Sequence, residues 1–314
     1  MPLTLDTEIA AALALAAEAG PAPTTPRGDV HALRTLVNTA LAAIESVEAE
    51  SPHVTFVDHS IAMSDGAVIA ARWYTKAGSR PGSAVLYVHG GGMIAGSVEL
   101  YHRFVARNVD VTGVPFLSVD YRLAPEFAGT CLVDDAYAGL VWLVEHAAEL
   151  GIDPTRIAVM GDSGGGGVAA GVAIAARDSA ILLAKQILIY PMLDDRNVAP
   201  DPHLSPMASW TYDNNFTGWS AVLGDDLGSD RVSPLAAPAR LENFDDLAPA
   251  YVDVGDLDIF RDEGIRYALN LLQAGVSTEL HVRPGCIHSF DRFAPGARPS
   301  AASWSDRCRA ITTI

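Results

Sequence analysis

A serine lies among glycines in the segment GDSGG, which covers residues 161–165 and has the pattern G-x-S-x-G. An apolar run, RIAVM, precedes this segment and a small-residue run, GGVAAGVAIAA, follows it. The order predicts a strand, a sharp turn and a helix, with Ser163 at the tip of the turn. Such a turn lifts a hydroxyl clear of a sheet, and glycines two residues to either side make room for the neighbouring backbone. Ser163 is therefore a predicted nucleophile for acyl transfer.

Polyanionic ligands are the alternative use of a glycine-rich turn at the start of a helix. A phosphate-binding loop carries a lysine directly after its glycines, and no lysine follows them here. The chain also has a formal net charge of −17 and no cluster of Lys and Arg. A nucleic acid partner is therefore not expected.

A second group of glycines, at residues 90–92, follows the apolar run AVLYVH. Glycines leave backbone N–H groups free of side-chain cover, as an oxyanion hole for acyl transfer requires. The predicted oxyanion donors are the N–H groups of Gly91, Gly92 and Gly164. His89 precedes these glycines, and we predict that it holds the loop in place by hydrogen bonding.

A serine hydroxyl needs a base to take its proton and a carboxylate to orient that base. In hydrolases that carry the serine on such a turn, the acid and then the histidine follow it in the chain. His203 lies in a segment rich in turn formers, and His281 lies inside a predicted strand. His288 lies in a loop just beyond that strand, and we predict that it is the base.

The choice of the acid is open between two residues. Asp256 and Asp258 both lie on the loop that follows the predicted strand at 250–255. Asp253 lies within that strand, and Asp262 begins the next helix, where a carboxylate also suits the helix dipole. Geometry does not decide between Asp256 and Asp258.

The elements that must position these residues alternate along the chain between short apolar strands and helices. Strands are predicted at 84–89, 115–120, 156–161, 186–191, 250–255 and 278–283, helices near 100–112, 132–149, 165–177 and 261–274, and a hairpin at 53–63 and 67–75. Continuous Val, Ile and Leu runs that alternate with helices indicate a parallel sheet covered on both faces. We therefore predict an α/β fold, with a mostly parallel, doubly wound central sheet that starts with an antiparallel hairpin.

Two segments fall outside this alternation and are predicted to form a helical cap. Residues 1–50 show two helical patterns separated by a Pro/Thr-rich break, and residues 194–245 interrupt the strands with an aromatic-rich insertion. The predicted core comprises residues 51–193 and 246–314. The candidate substrate-pocket residues are Met93, Trp210, Tyr212, Phe216 and Trp219. The aromatic residues of the insertion could instead hold the cap to the core.

The motifs occur together in an order that resembles the hormone-sensitive-lipase-like family of α/β-hydrolase esterases. They are HGGGM, VDYRLAPE, GDSGGGG, VSPLAA, GDLDIFRDEG and HSF, spread from about residue 55 to residue 290. The resemblance implies a Ser163, His288 and Asp258 triad, with Asp258 matching the aspartate that opens the family's D-x-x-R-D-E segment. Two departures stand out: Gly164 replaces the family's usual alanine, and FAGTCLVDD at 127–135 replaces a proline-rich stretch.

From this resemblance we expect a carboxylesterase that needs no metal and no organic cofactor. Its substrates would be small-molecule esters of short or medium acyl chains, and the family implies a homodimer, with the strand at 278–283 as the predicted pairing edge. Amide, lactone or carbamate hydrolysis by the same triad is the alternative within enzymes. A non-catalytic, ligand-binding relative is the alternative from another class, but all three triad residues are present.

Cysteine content and hydropathy set the expected compartment. Cys131, Cys286 and Cys308 are an odd number without metal-like spacing, which favours a reducing compartment. No run of about twenty apolar residues is present, so a membrane span is not expected, and we predict a cytoplasmic location. Cys286 lies two residues before His288 and offers a route to thiol-reagent sensitivity.

Overall fold

An eight-stranded sheet organises the fold in the computed structural model, which describes residues 3–18, 20 and 23–314. The strands are β1 (Val54–Ala62), β2 (Val68–Lys76), β3 (Ala84–Val88), β4 (Phe116–Val119), β5 (Ile157–Asp162), β6 (Lys185–Ile189), β7 (Ala250–Gly255) and β8 (Thr278–Arg283). Their order in the sheet is β1-β2-β4-β3-β5-β6-β7-β8. Strand β2 runs antiparallel to β1 and β4, and the other neighbours are parallel. The predicted fold class is confirmed.

Helices cover both faces of this sheet. They are α1 (Thr7–Ala17), α2 (Val30–Val47), α3 (His102–Thr112), α4 (Cys131–Glu145), α5 (Ala147–Leu150), α6 (Gly164–Asp178), α7 (Tyr212–Leu223), α8 (Arg261–Gln273), α9 (Phe290–Phe293) and α10 (Arg298–Thr312). The helices predicted in the core correspond to α3, α4 with α5, α6 and α8. Helices α7 and α10 were not predicted individually.

The burial of β3 shows why its sequence is apolar without alternation. Successive side chains of a strand point to opposite faces of the sheet. Leu86 packs in a core cluster with residues of α4 and α6, whereas Tyr87 packs in a second cluster with residues of α3 and α10. Because both faces are covered, every position of β3 is buried.

The parallel strands bring distant parts of the chain to one edge of the sheet. The carboxyl ends of β5, β7 and β8 point the same way, and the loops that follow them carry Ser163, Asp258 and His288. Open α/β sheets bind ligands at this edge. The topology of the sheet thus brings together predicted catalytic side chains that are distant in the chain, such as Ser163 and His288, which lie 125 residues apart.

The two predicted cap segments contact each other above this edge. The backbone N–H of Gly28 donates to Thr217 Oγ1 over 2.8 Å, and Arg27 pairs with Asp213. Residues 1, 2, 19, 21 and 22 of the first segment lie outside the described residues. The division of the chain into cap and core stays a prediction. None of the helices in the described part of the chain is both long and apolar enough to cross a bilayer.

Candidate active site

Ser163 occupies the sharp turn between β5 and α6. Its backbone has φ 56° and ψ −121°, a conformation that a residue with a side chain rarely adopts. The turn fits only because its neighbours are glycines. A Cβ on Gly161 would lie 2.2 Å from the carbonyl oxygen of Gly165, and a Cβ on Gly165 would lie 2.3 Å from that of His89. The strained turn projects the serine toward the edge of the sheet.

Three buried side chains form a continuous hydrogen-bonded row at this edge. Ser163 Oγ lies 2.9 Å from His288 Nε2, and His288 Nδ1 lies 2.7 Å from Asp258 Oδ2. All three residues are buried. Such a row can move a proton from the hydroxyl to the imidazole while the carboxylate stabilises the charged ring.

The sequence left the choice of the acid open between Asp256 and Asp258. In the structure these two residues have different partners. Asp256 Oδ1 accepts a hydrogen bond from the backbone N–H of Gly285 over 2.7 Å, which fixes the loop before the histidine. Asp258 Oδ2 faces His288, and its Oδ1 accepts from the backbone N–H of Phe260 over 2.9 Å. The structure therefore brings Asp258, and not Asp256, to the imidazole.

Aromatic rings hold the imidazole of His288 in its plane. Tyr190 and Phe260 pack edge-on against it, with ring centroids 4.8 Å and 5.0 Å away. Ser209 Oγ donates to the carbonyl oxygen of His288 over 2.8 Å and fixes its backbone from the side of the insertion. None of these three contacts was predicted, because they join segments far apart in the chain.

The glycine loop at 90–92 lies directly against the turn that carries Ser163. Among the described residues, the N–H groups of Gly91 and Gly92 have no protein acceptor. The N–H of Gly164 opens α6 and has no intrahelical partner by position. These three groups are therefore free to bind an oxygen atom near Ser163.

Close packing explains why Gly164 replaces the alanine usual at this position. A Cβ on Gly164 would lie 2.7 Å from the backbone nitrogen of Met93 and 3.0 Å from Gly92 Cα. Both neighbours are backbone, so an alanine would force the loop to move. The glycine therefore permits the loop to lie closer to the start of α6 than a side chain would allow.

A cavity of about 180 Å³ opens beside Ser163. Helix α2 supplies its apolar wall, made of Leu33, Leu36, Val37, Ala40, Leu41 and Ile44. Trp210 and Phe293 add aromatic surface. The 3.6-residue periodicity of α2 was visible in the sequence, but nothing there indicated that its apolar face borders a cavity.

Of the five candidate pocket residues, the structure places only Trp210 on the cavity wall. Trp219 is fully buried in the core, and Tyr212 and Met93 are almost fully buried there too. The guanidinium of Arg27 lies over the ring of Phe216, and the distance from Arg27 Cζ to the ring centroid is 3.7 Å. Trp219 and Tyr212 therefore fit the alternative prediction, that the aromatic residues hold the cap to the core, better than they fit a place in the substrate pocket.

Charged groups in the cavity were not predicted. Asp162 accepts hydrogen bonds from the hydroxyls of Tyr87, over 2.5 Å, and Tyr101, over 3.1 Å. Burial raises the pKa of both tyrosines well above its ordinary value, so both remain donors. Arg292 lines the same cavity and lies over the rings of Tyr101 and Phe104.

The other histidines considered from sequence lie away from Ser163. His89 is buried behind the glycine loop, where its ring stacks on Tyr121. His281 Nε2 lies 2.6 Å from Glu279 on β8, and His203 is exposed. Of these four histidines, His288 alone reaches the serine.

The environment of Cys286 does not favour the expected sensitivity to thiol reagents. Its side chain is fully buried, and burial raises the pKa of the thiol to about 12. We therefore expect it to resist N-ethylmaleimide in the folded protein at neutral pH, because the reactive form is the thiolate. Peptide mass mapping after brief labelling, with and without urea, measures this. Labelling of Cys286 at equal rates in both conditions would contradict the prediction.

Comparisons with known proteins point to one family. A family model described as alpha/beta hydrolase fold matches residues 85–292. An ethyl acetate hydrolase from Pseudomonas putida is 34% identical over 241 residues, covering 75% of this chain and 76% of that protein. Esterase LipI from Mycobacterium tuberculosis is 36% identical over 233 residues, covering 71% of this chain and 70% of that protein.

Solved structures extend the likeness to the full chain. A bacterial heroin esterase superposes with a TM-score of 0.90 at 35% identity, covering 99% of this chain and 98% of that one. Esterase LipW from Mycobacterium marinum superposes with a TM-score of 0.84 at 30% identity, covering 98% of this chain and 95% of that one.

Proposed function

Since the chain belongs to the hormone-sensitive-lipase-like family of α/β-hydrolase esterases and is a carboxylic-ester hydrolase, we propose that Ser163, His288 and Asp258 are its catalytic triad. The observation that carries the proposal is the buried row of two short hydrogen bonds from Ser163 Oγ through the imidazole to Asp258. Geometry of this kind defines a triad irrespective of the order of its residues in the chain.

The first half of the reaction forms an acyl-enzyme. Ser163 Oγ attacks the ester carbonyl carbon as His288 Nε2 takes its proton, and the carbonyl oxygen becomes an oxyanion. The N–H groups of Gly91, Gly92 and Gly164 stabilise that charge. The tetrahedral intermediate then expels the alcohol oxygen, which receives the proton from His288.

The second half releases the acid. A water molecule gives a proton to His288 and attacks the acyl carbon, and the same oxyanion donors stabilise the new intermediate. Its collapse breaks the bond to Ser163 Oγ, which regains the proton from His288. Asp258 orients the ring and stabilises its positive charge in both halves.

The cavity favours small substrates. Its volume of about 180 Å³ lies below the range of roughly 300–1,000 Å³ that is usual for pockets of drug-sized ligands. The name of the relative from Pseudomonas putida, ethyl acetate hydrolase, is consistent with a small ester. We propose short acyl esters as the substrates, with the apolar wall of α2 limiting chain length.

A panel of p-nitrophenyl esters from acetate to dodecanoate tests this function. We expect kcat/KM to be highest between acetate and hexanoate and to fall steeply for longer chains. The same panel includes a p-nitroanilide, a lactone and a carbamate, all of which we expect to react more slowly than the matched ester. A higher kcat/KM on the anilide, lactone or carbamate would overturn the ester assignment for this site.

The acyl limit is tested by a matched pair on one helix. Both alanines are exposed, but Ala40 lines the cavity and Ala43 does not. We expect Ala40→Phe to lower the ratio of hexanoate to acetate hydrolysis by roughly tenfold, as a changed hydrophobic pocket does. Ala43→Phe should leave the ratio at the wild-type value. Equal ratios for the two variants would show that α2 does not limit the chain.

A homodimer and a cytoplasmic location stay predictions from the sequence. Light scattering of the purified enzyme tests the first. Substitution of a residue of the edge strand β8, such as the exposed Val282, by aspartate then tests whether that strand pairs.

A further inference from the structure

We propose that two side chains of α2, Arg34 and Asn38, are positioning residues that hold the oxyanion loop, residues 89–96, in its active conformation. The inference rests on the proposed function, because it assigns a support to the proposed oxyanion donors. It gives α2 a second task besides forming the cavity wall.

Arg34 binds the loop and a neighbouring segment at once. Its Nε donates to the carbonyl oxygen of Ile94 over 2.6 Å, and its Nη2 donates to that of Ala124 over 2.6 Å. The guanidinium also pairs with both carboxylate oxygens of Glu126, over 2.8 Å and 2.6 Å. This fork lowers the pKa of Glu126 to about 2, so the pair is charged at neutral pH. One of these four hydrogen bonds binds the loop itself, at Ile94. The other three bind the segment at 124–126, whose Ala124 N–H donates in turn to the carbonyl oxygen of Met93 in the loop over 3.1 Å.

Asn38 holds the same loop one turn further along the helix. Its Oδ1 accepts a hydrogen bond from the backbone N–H of Gly96 over 2.9 Å. Gly96 is packed tightly: a Cβ there would lie 2.5 Å from both the carbonyl oxygen of Gly90 and Nδ1 of His89. A shift of Gly96 would therefore be transmitted directly to the start of the loop.

The loop has a reason to need such support. Gly91, Gly92 and Met93 have positive φ values of 122°, 62° and 65° in succession. Met93 carries a side chain in the left-handed region, which is strained and persists only when the surroundings fix it. The free N–H groups of Gly91 and Gly92 form no ladder that could hold them. The carbonyl oxygen of Gly91 accepts from the N–H groups of Ile94 and Ala95, over 3.2 Å and 3.0 Å. These bonds link the peptide that carries the Gly92 N–H to the far end of the loop, where Arg34 and Asn38 bind.

One consequence follows for substrate choice. Helix α2 both forms the wall of the cavity and holds the oxyanion loop. An acyl chain that displaces α2 therefore also displaces the oxyanion donors. Long esters should then lose kcat as well as affinity.

The experiment compares Asn38→Ala and Arg34→Met with the wild type on p-nitrophenyl acetate. We expect kcat to fall about ten- to hundredfold, less than the full loss of one oxyanion donor, while KM changes little. The affinity of a trifluoromethyl ketone, which forms an oxyanion adduct with serine, should fall by the same factor as kcat. A merely structural role would lower the unfolding temperature without moving that affinity.

Two further variants keep the result decisive. Asn38→Asp retains an acceptor for the Gly96 N–H and should recover most of the activity that Asn38→Ala loses. Arg27→Met removes the ion pair with Asp213, which also joins the first segment to α7 but does not touch the loop; its kcat should equal that of the wild type.

Three results would overturn the inference: unchanged ketone affinity in Arg34→Met and Asn38→Ala, no recovery in Asn38→Asp, or an equal loss in Arg27→Met. Failure of the proposed function has a different signature. The Ser163→Ala variant would then hydrolyse p-nitrophenyl acetate as fast as the wild type.

Discussion

Replacing Ser163 with alanine lowers kcat on p-nitrophenyl acetate by about a millionfold, as removal of a triad nucleophile does. The expectation follows from the geometry around Oγ. The hydroxyl is the atom 2.9 Å from His288 Nε2, and no other hydroxyl of the described residues hydrogen bonds to that nitrogen. Without it, His288 has no nucleophile to deprotonate except water. Because the cavity and the oxyanion donors remain, substrate binding should be largely retained.

Steady-state kinetics with active-site titration by a p-nitrophenyl phosphonate measure this loss. The wild type should release one equivalent of p-nitrophenol and gain the phosphonyl group on the peptide that contains Ser163. Ser209 provides the matched control, because its hydroxyl also lies beside His288 but bonds only to its carbonyl oxygen. Ser209→Ala should keep the titration stoichiometry and lose far less activity. Comparable kcat values for Ser163→Ala and the wild type would rule out the triad.

The elements that depend on a local pattern of residues could be predicted from the sequence. Apolar runs on strands buried on both faces are continuous, and the runs around β3 and β5 gave strand positions within a residue or two. The turn at Ser163 was recognisable because a Cβ on Gly161 or Gly165 would collide with backbone oxygens at 2.2–2.3 Å. Such contacts exclude every other residue type, so they leave a clear trace in sequence.

Helix α10 shows where pattern fails. Its buried residues include Ser300, Ser303 and Arg307, so its inner face does not appear apolar in sequence. Arg307 is buried because it pairs with Asp291 over 3.0 Å. A helix packed largely through polar contacts has little hydrophobic periodicity to detect.

The cavity could not be predicted because its walls come from segments that are distant in the chain. An apolar face of α2 and an aromatic insertion are equally consistent with a solid core, and only their placement leaves space beside Ser163. The aromatic spacing of the insertion suggested four wall residues there, yet one of them, Trp210, reaches the cavity. Side-chain direction depends on how α7 docks, and that docking uses contacts such as Gly28 to Thr217.

Asp258→Asn is expected to lower kcat by about ten-thousandfold, and the reason lies in the second oxygen of the carboxylate. Asp258 Oδ1 accepts from the backbone N–H of Phe260. An asparagine must keep its oxygen there, so its NH₂ group takes the place of Oδ2 and faces His288 Nδ1. That donor fixes the imidazole with its proton on Nε2. In this tautomer Nε2 cannot accept the proton of Ser163.

The neighbouring Asp256→Asn is the matched control for this prediction. Asp256 Oδ1 accepts from Gly285 N–H, and an asparagine oxygen can accept the same bond. Its kcat should therefore stay close to that of the wild type, while crystals of both variants show an unmoved backbone. A large loss in Asp256→Asn combined with a small loss in Asp258→Asn would transfer the role of the acid to Asp256. Large losses in both would instead show that the loop between β7 and α8 tolerates no amide, and the tautomer argument would fail with it.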